Sequence, residues 1–193
     1  MVPTPYCTIG PFYLKPLIDG CDDLTEVEGR RARGHILLAG RVVEEGSAPV
    51  LNAVLEIWQP DAYGIFRHPL DPRSSQADPG FFGWGRTRTD ADGRYRFRTV
   101  LPGSSREEDG TIRSPHINLM VLAIGLTRRL VTTAFFGGAP DSINDPVLNC
   151  VAEPAARRRL FASRDPALDA QGIPAYRFDI VLRGKNETPF FLD

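Results

Sequence analysis

The sequence predicts an all-β fold, an antiparallel sandwich with long loops. Several runs of five to nine residues alternate apolar and polar side chains with a period of two, as a half-buried strand requires. Gly, Pro, Asp and Asn clusters punctuate these runs at strand-like spacing. One segment alone, Glu153 to Ala162, has helical character. The chain divides into an arm, residues 1–33, rich in turn formers and charge, and a sandwich over 34–193. At 193 residues it is long enough to bury a core without disulfides or metals as staples.

In chain order, Gly10 and Pro11 interrupt the aromatic run Thr8–Tyr13, which suits an arm lying across another surface. His35 to Val43 forms the first strand, and a turn follows at Glu45-Gly46-Ser47. Ala53 to Trp58 alternates and stops at Gln59-Pro60-Asp61. After a long loop, Gly85 to Thr89 leads into Asp90-Ala91-Asp92-Gly93, which reads as a hairpin turn before Arg94 to Val100. In that strand Arg94, Arg96 and Arg98 share the solvent face. Ser114 to Val121 and Leu130 to Phe136 are further strands. Ile143 to Asn149 is a short apolar segment behind Asp145-Pro146, and Tyr176 to Leu182 alternates near the end. The loops 59–84 and 102–114 are longer than a purely structural domain needs, and loops of that length tend to build sites or interfaces.

Composition narrows the function classes. Basic and acidic residues number 23 and 24, a net charge of −1, so bulk charge recruits neither nucleic acid nor an anionic membrane. No apolar run reaches membrane-spanning length and the first residues lack a signal-peptide pattern, so a soluble, cytoplasmic protein is expected. Cys7, Cys21 and Cys150 are read as free thiols, with a Cys7–Cys21 bridge left open.

The residues that bear chemistry are few. On the strand after Pro115, His116 and Asn118 share one face and Ile117, Leu119 and Val121 the other. Two imidazoles at that spacing hold a metal ion, but an amide is a poor substitute. His68 sits in a loop, His35 opens a strand, and no Cys or carboxylate cluster completes a metal site. Neither a Gly-x-Ser-x-Gly elbow nor a phosphate loop is present. Trp58 and Trp84 are read as core, and Arg128 and Arg129 as neighbours on opposite faces of a strand.

Motif by motif, the chain resembles the intradiol ring-cleavage dioxygenases from about residue 4 to the end. The matching blocks include Thr8–Phe12, Leu55–Gly64, Phe82–Thr87, Arg98–Gly103, Ser114–Asn118, Asp145–Asn149 and Tyr176–Ile180. The Asp-Pro-Val-Leu-Asn block and the Phe-Phe-Leu-Asp end are similar to the alpha branch. The resemblance implies an iron(III) held by two tyrosines and two histidines, at positions occupied here by Phe66, Ser105, His116 and Asn118. Phenylalanine offers the metal no oxygen, and serine is too short and too weakly acidic to replace a phenolate. The resemblance therefore implies an alpha chain without iron. A beta chain would bind the Fe(III) and use O2 to open 3,4-dihydroxybenzoate between its hydroxyls, giving 3-carboxy-cis,cis-muconate. On the same basis Thr8, Gly10 and Pro11 line the beta chain's substrate pocket. Ile124 stands where alpha chains carry an arginine near the site, which bears on substrate range.

Two other readings remain: a non-catalytic sandwich serving assembly or small-ligand binding, and a self-sufficient homomeric dioxygenase, which the missing tyrosines disfavour. A subunit that completes another's site needs an extensive apolar contact, above roughly 2,000 Å² for an obligate pair. Phe81, Phe82, Phe135, Phe136, Phe190 and Phe191 are the candidate interface aromatics.

Overall fold

A computed structural model describes residues 21–138 and 143–191. Thr8, Gly10, Pro11 and Cys7, and with them the expected pocket role and the open cysteine bridge, lie outside the described residues. Two sheets face each other. The first contains β4 (Val54–Trp58), β5 (Trp84–Arg88), β9 (His116–Leu122) and β10 (Leu130–Phe135), antiparallel in the order β10-β9-β4-β5. The second is built on β3 (His35–Val43), flanked by antiparallel β6 (Arg94–Val100) on one side. On its other side run the parallel strands β12 (Ala175–Arg177) and β13 (Ile180–Val181), with β11 (Ser163–Arg164) at the edge. Small ladders join β1 (Glu26–Val27) to β2 (Arg30–Arg31) and β7 (Ser105–Arg106) to β8 (Ile112–Arg113).

The main core lies between the two sheets. Leu38 and Val42 of β3 and Phe97 of β6 meet Leu55 and Ile57 of β4 and Ile117, Leu119 and Val121 of β9, all essentially inaccessible to solvent. Leu24 and Ala32, from the stretch assigned to the arm, belong to the same core. The backbone of residues 21–25 closes one open side of the sandwich: Leu24 N donates to Arg98 O, Arg86 N to Cys21 O and Phe82 N to Leu24 O. On the opposite side Phe135 N donates to Leu160 O and Ala162 N to Phe135 O.

The break between β12 and β13 has a local cause. Tyr95 Oη donates to the Phe178 carbonyl at 2.5 Å, and Asp179 Oδ1 accepts the Arg41 N–H at 2.8 Å in place of a ladder bond. A Cβ at position 40 would come within 1.9 Å of the Phe178 oxygen, so only glycine fits there.

Three local expectations change. The turn at Asp90–Gly93 forms as read, with Asp90 Oδ1 accepting the N–H groups of Asp92 and Arg94. Its flanking strands do not pair: β5 belongs to the first sheet and β6 to the second, so the turn is a corner between layers. Buried Thr89 pins that corner, since its Oγ donates to Val50 O and accepts from Ala53 N. The helix expected over 153–162 shrinks to α2, Pro154–Arg158, because residues 160–162 extend to meet β10. A second helix, α1 (Pro146–Asn149), replaces the apolar segment; Asp145 caps it by accepting from Val147 N and Leu148 N, and Pro146 fills its first turn.

Candidate functional site

The strand β9 behaves as its alternation requires. His116 and Asn118 face away from the main core, and the cross-strand register places Phe135, Thr133 and Trp58 beside them. Phe135, Leu148 and Leu160 form a separate small core, and His116 is buried with its ring 6.1 Å from that of Phe135.

Of the four positions that the resemblance assigns to iron ligands, Phe66, Asn118 and His116 have partners within the fold and Ser105 has none. The Phe66 ring stacks on Trp58 with centroids 5.6 Å apart. Asn118 Oδ1 accepts from Thr133 Oγ at 3.0 Å, and an amide oxygen is a weak ligand for a transition metal. Ser105 is buried and its Oγ has no hydrogen-bond partner. His116 Nδ1 lies 2.7 Å from the Ser114 carbonyl. A carbonyl only accepts, so Nδ1 carries the proton and Nε2 keeps its lone pair. Burial and the nearby Arg113 guanidinium hold this imidazole's pKa down to about 4, against a weaker opposing pull from the Ser114 hydrogen bond and Asp145. His116 is therefore neutral across the physiological range.

Arg113 supplies the positive charge of the region. Its Nε donates to Asp145 Oδ2 at 2.9 Å, its Nη1 lies 3.5 Å from Glu107, and its buried Nη2 is unpartnered. Asp145, wholly inaccessible, also accepts the Ser114 N–H, so one carboxylate joins β8, the approach to β9 and the start of α1. One neutral imidazole beside an arginine, with no phenolate or second imidazole, does not fit an iron(III) ion. The donor set of one imidazole is too small to hold it. Among the described residues no group of three His, Cys, Asp or Glu side chains converges.

The loops around this region are organised by buried polar residues that sequence reasoning did not single out. Asp61 Oδ1 accepts from Tyr63 N and Ile65 N, Oδ2 from Asp78 N, and its carbonyl from Gly64 N and Gly103 N. That set ties 59–65, 78–83 and 101–105 together. The contact between the first and last of these is backbone on backbone: a Cβ on Gly64, whose φ is +75°, would lie 1.8 Å from Ser104 O. Gln59 Nε2 donates to Val100 O while its Oε1 accepts from Thr99 Oγ, linking the end of β4 to the second sheet. Asp71 accepts from Phe66 N, Arg73 N and the Arg73 guanidinium. Burial raises its pKa, but these donors together outweigh burial and the net shift is downward.

Other expectations are corrected by position. Trp58 and Trp84 are not core; they face each other across β4 and β5 on the outer side of the first sheet, half-buried, in one aromatic strip with Phe66, His68 and Phe82. Arg86 lies over Trp84 and pairs with Glu56. Arg128 and Arg129 lie in the bend before β10, not on a strand. Of the interface aromatics, Phe81, Phe135 and Phe136 are core, Phe82 is half-exposed, and Phe190 and Phe191 are partly buried. Ile124 sits exposed in the turn after β9, at the end remote from His116, so its side chain does not enter this chain's own degenerate site.

A sandwich of two sheets with long loops at one end defines a class, and comparison with known proteins agrees with it. A family model described as dioxygenase matches residues 9–184, and the chain belongs to the intradiol dioxygenase family. The family depends on non-haem iron(III). Among its relatives are both chains of one heteromeric enzyme. The protocatechuate 3,4-dioxygenase beta chain of Burkholderia cepacia is 40% identical over 159 residues, covering 80% of this chain and 67% of that one. The alpha chain from Pseudomonas putida is 36% identical over 159 residues, covering 81% and 75%. The alpha chain from Burkholderia cepacia is 32% identical over 203 residues and aligns nearly end to end, at 97% and 96%. The fold is shared with the catechol 1,2-dioxygenase of Acinetobacter, at a TM-score of 0.61 and 24% identity over 89% of this chain and 60% of that one. It is also shared with a dioxygenase domain from a cellulolytic Streptomyces, at a TM-score of 0.56 and 26% identity over 94% and 98%.

Proposed function

We propose that this chain is the iron-free, alpha-type subunit of a heteromeric protocatechuate 3,4-dioxygenase. Its companion, a beta-type chain, binds the iron(III) and cleaves 3,4-dihydroxybenzoate with O2 to 3-carboxy-cis,cis-muconate. The observation that carries this reading is the occupation of the four ligand positions. Phe66, Ser105 and Asn118 offer no strong metal donor, while the fold around them is kept. Identity alone would not choose the branch, since the relatives include both chains and the beta chain has the higher figure. The end-to-end alignment with an alpha chain supports the choice.

In this reading Thr8, Gly10 and Pro11 complete the companion's substrate pocket, with the Thr8 hydroxyl and the bare Gly10 backbone approaching the aromatic acid. Ile124 replaces a cation there and weakens attraction for the substrate carboxylate. The test is steady-state kinetics of the co-expressed pair and of the companion alone. The pair is expected to turn over 3,4-dihydroxybenzoate faster, and Pro11→Ala or Thr8→Ala to change KM or kcat. Equal rates with and without this chain, and no effect of either substitution, would reduce it to an assembly protein.

A further inference from the structure

Among the described residues two buried side-chain polar atoms lack a hydrogen-bond partner, and both stand at the degenerate site: Ser105 Oγ and Arg113 Nη2. Ser105 and Arg113 face each other in the register of β7 and β8, and both side chains are buried, at 1% and 9% exposure. Residues directly opposed in an antiparallel pair carry their Cβ atoms on one face, about 4.5–5.5 Å apart. A third unused group lies three residues on. His116 is 1% exposed, its Nδ1–H donates to the Ser114 carbonyl at 2.7 Å, and its Nε2 accepts from no described residue. Arg113 and His116 flank Ser114, whose N–H shares Asp145 Oδ2 with Arg113 Nε.

We propose that Ser105 Oγ, Arg113 Nη2 and His116 Nε2 converge on one ordered water molecule, which cross-links β7, β8 and β9 where a metal does not fit. The three groups select a neutral ligand that both donates and accepts. A guanidinium nitrogen only donates, Nε2 in this tautomer only accepts, and a serine hydroxyl does either. Water accepts from Nη2, donates one hydrogen to Nε2 and meets Ser105 Oγ with a remaining site. That makes three hydrogen bonds, the usual number for a buried water. A cation gains nothing from Nη2, which has no lone pair to offer. An anion suits Nη2 and the hydroxyl but faces the Nε2 lone pair. The Arg113 charge is moreover already matched by buried Asp145, with Glu107 at 3.5 Å. Leaving a buried donor and a buried hydroxyl unpaired is costly, and a shared water removes both penalties at once. The bridge ties the loop 102–114 to the first sheet. It concerns this chain alone and holds with or without a companion.

A high-resolution crystal structure of the full chain, with and without a bromide soak, tests the ligand. The expected result is a single water peak within about 2.7–3.2 Å of all three atoms, unchanged by bromide. No peak, or a peak bonded to one of the three alone, overturns the proposal. Anomalous signal from bromide at that point shows an anion site and also overturns it. Iron there overturns the iron-free reading as well. Thermal unfolding of Ser105→Ala gives an independent reading through its sign, with circular dichroism checking the fold. Deleting a hydroxyl that bonds the water is expected to lower the midpoint by about 2–4 °C. Deleting one that is truly unpaired leaves the midpoint unchanged or raises it, and that result contradicts the bridge.

Discussion

Replacing Asp145 with asparagine tests how the degenerate site is held together. Asp145 is fully inaccessible, and Arg113 is 9% exposed. The Asn amide keeps one oxygen to accept from Val147 N and Leu148 N, so the α1 cap survives in part. Its NH2 then faces two donors, Arg113 Nε and Ser114 N, which both now bond Oδ2. The guanidinium is left with Glu107 at 3.5 Å, a half-exposed partner and a weak replacement. Removing one member of a buried ion pair costs about 3–5 kcal/mol, mostly because the other charge remains buried without compensation. With a urea dependence of about 2 kcal/mol per M, the unfolding midpoint falls by roughly 1.5–2.5 M. Urea unfolding followed by circular dichroism reads this directly. The double variant Arg113→Met/Asp145→Asn removes the stranded charge and is expected to recover at least half of the loss. A midpoint shift under 0.5 M for Asp145→Asn (~1 kcal/mol), or no recovery in the double variant, would refute the claim that this pair anchors the region.

Three further outcomes follow from the geometry. His116 is neutral in the fold with a pKa of about 4, whereas the unfolded chain's histidine titrates near the ordinary 6.5. Its contribution to stability is complete above about pH 6.5 and is lost as pH falls toward 4, by up to ~3 kcal/mol at 1.36 kcal/mol per unit. His116→Gln should therefore lose less stability than wild type between pH 7 and 4.5, and parallel pH profiles would contradict this. Gly64→Ala forces a Cβ into the Ser104 carbonyl at a left-handed φ, and should lower stability by about 2–4 kcal/mol in thermal unfolding; a loss below 1 kcal/mol (~3 °C) would show that the loops yield easily. Asn118→His restores one ligand only, so it is not expected to bring iron into the chain, as metal analysis after iron loading would check.

What could be read from the chain was set by the range of the physics involved. Period-two alternation is local, so the outward placing of His116 and Asn118 and the buried row Ile117, Leu119, Val121 were legible from the letters. The same parity puts Trp58 on one face with Glu56, a local sign that this tryptophan lies outside the core. The turn Asp90–Gly93 was legible as a turn, but the pairing of its strands depends on Thr89 and the layers beyond it. The short helix α1 did carry a signal, an Asp cap followed by proline, although four residues are too few for a helical period to show. Asp61, Gln59 and Asp145 were out of reach as organising residues. A buried carboxylate or amide reads in sequence like any surface one until its backbone partners are in place.

On the proposed reading this chain keeps the fold of an iron dioxygenase and leaves the iron to its companion. Iron quantified per chain, in protein purified alone and in the co-purified pair, tests it most directly. No stoichiometric iron is expected in the chain alone, and one iron for each alpha–beta pair. Stoichiometric iron bound by this chain by itself would contradict it.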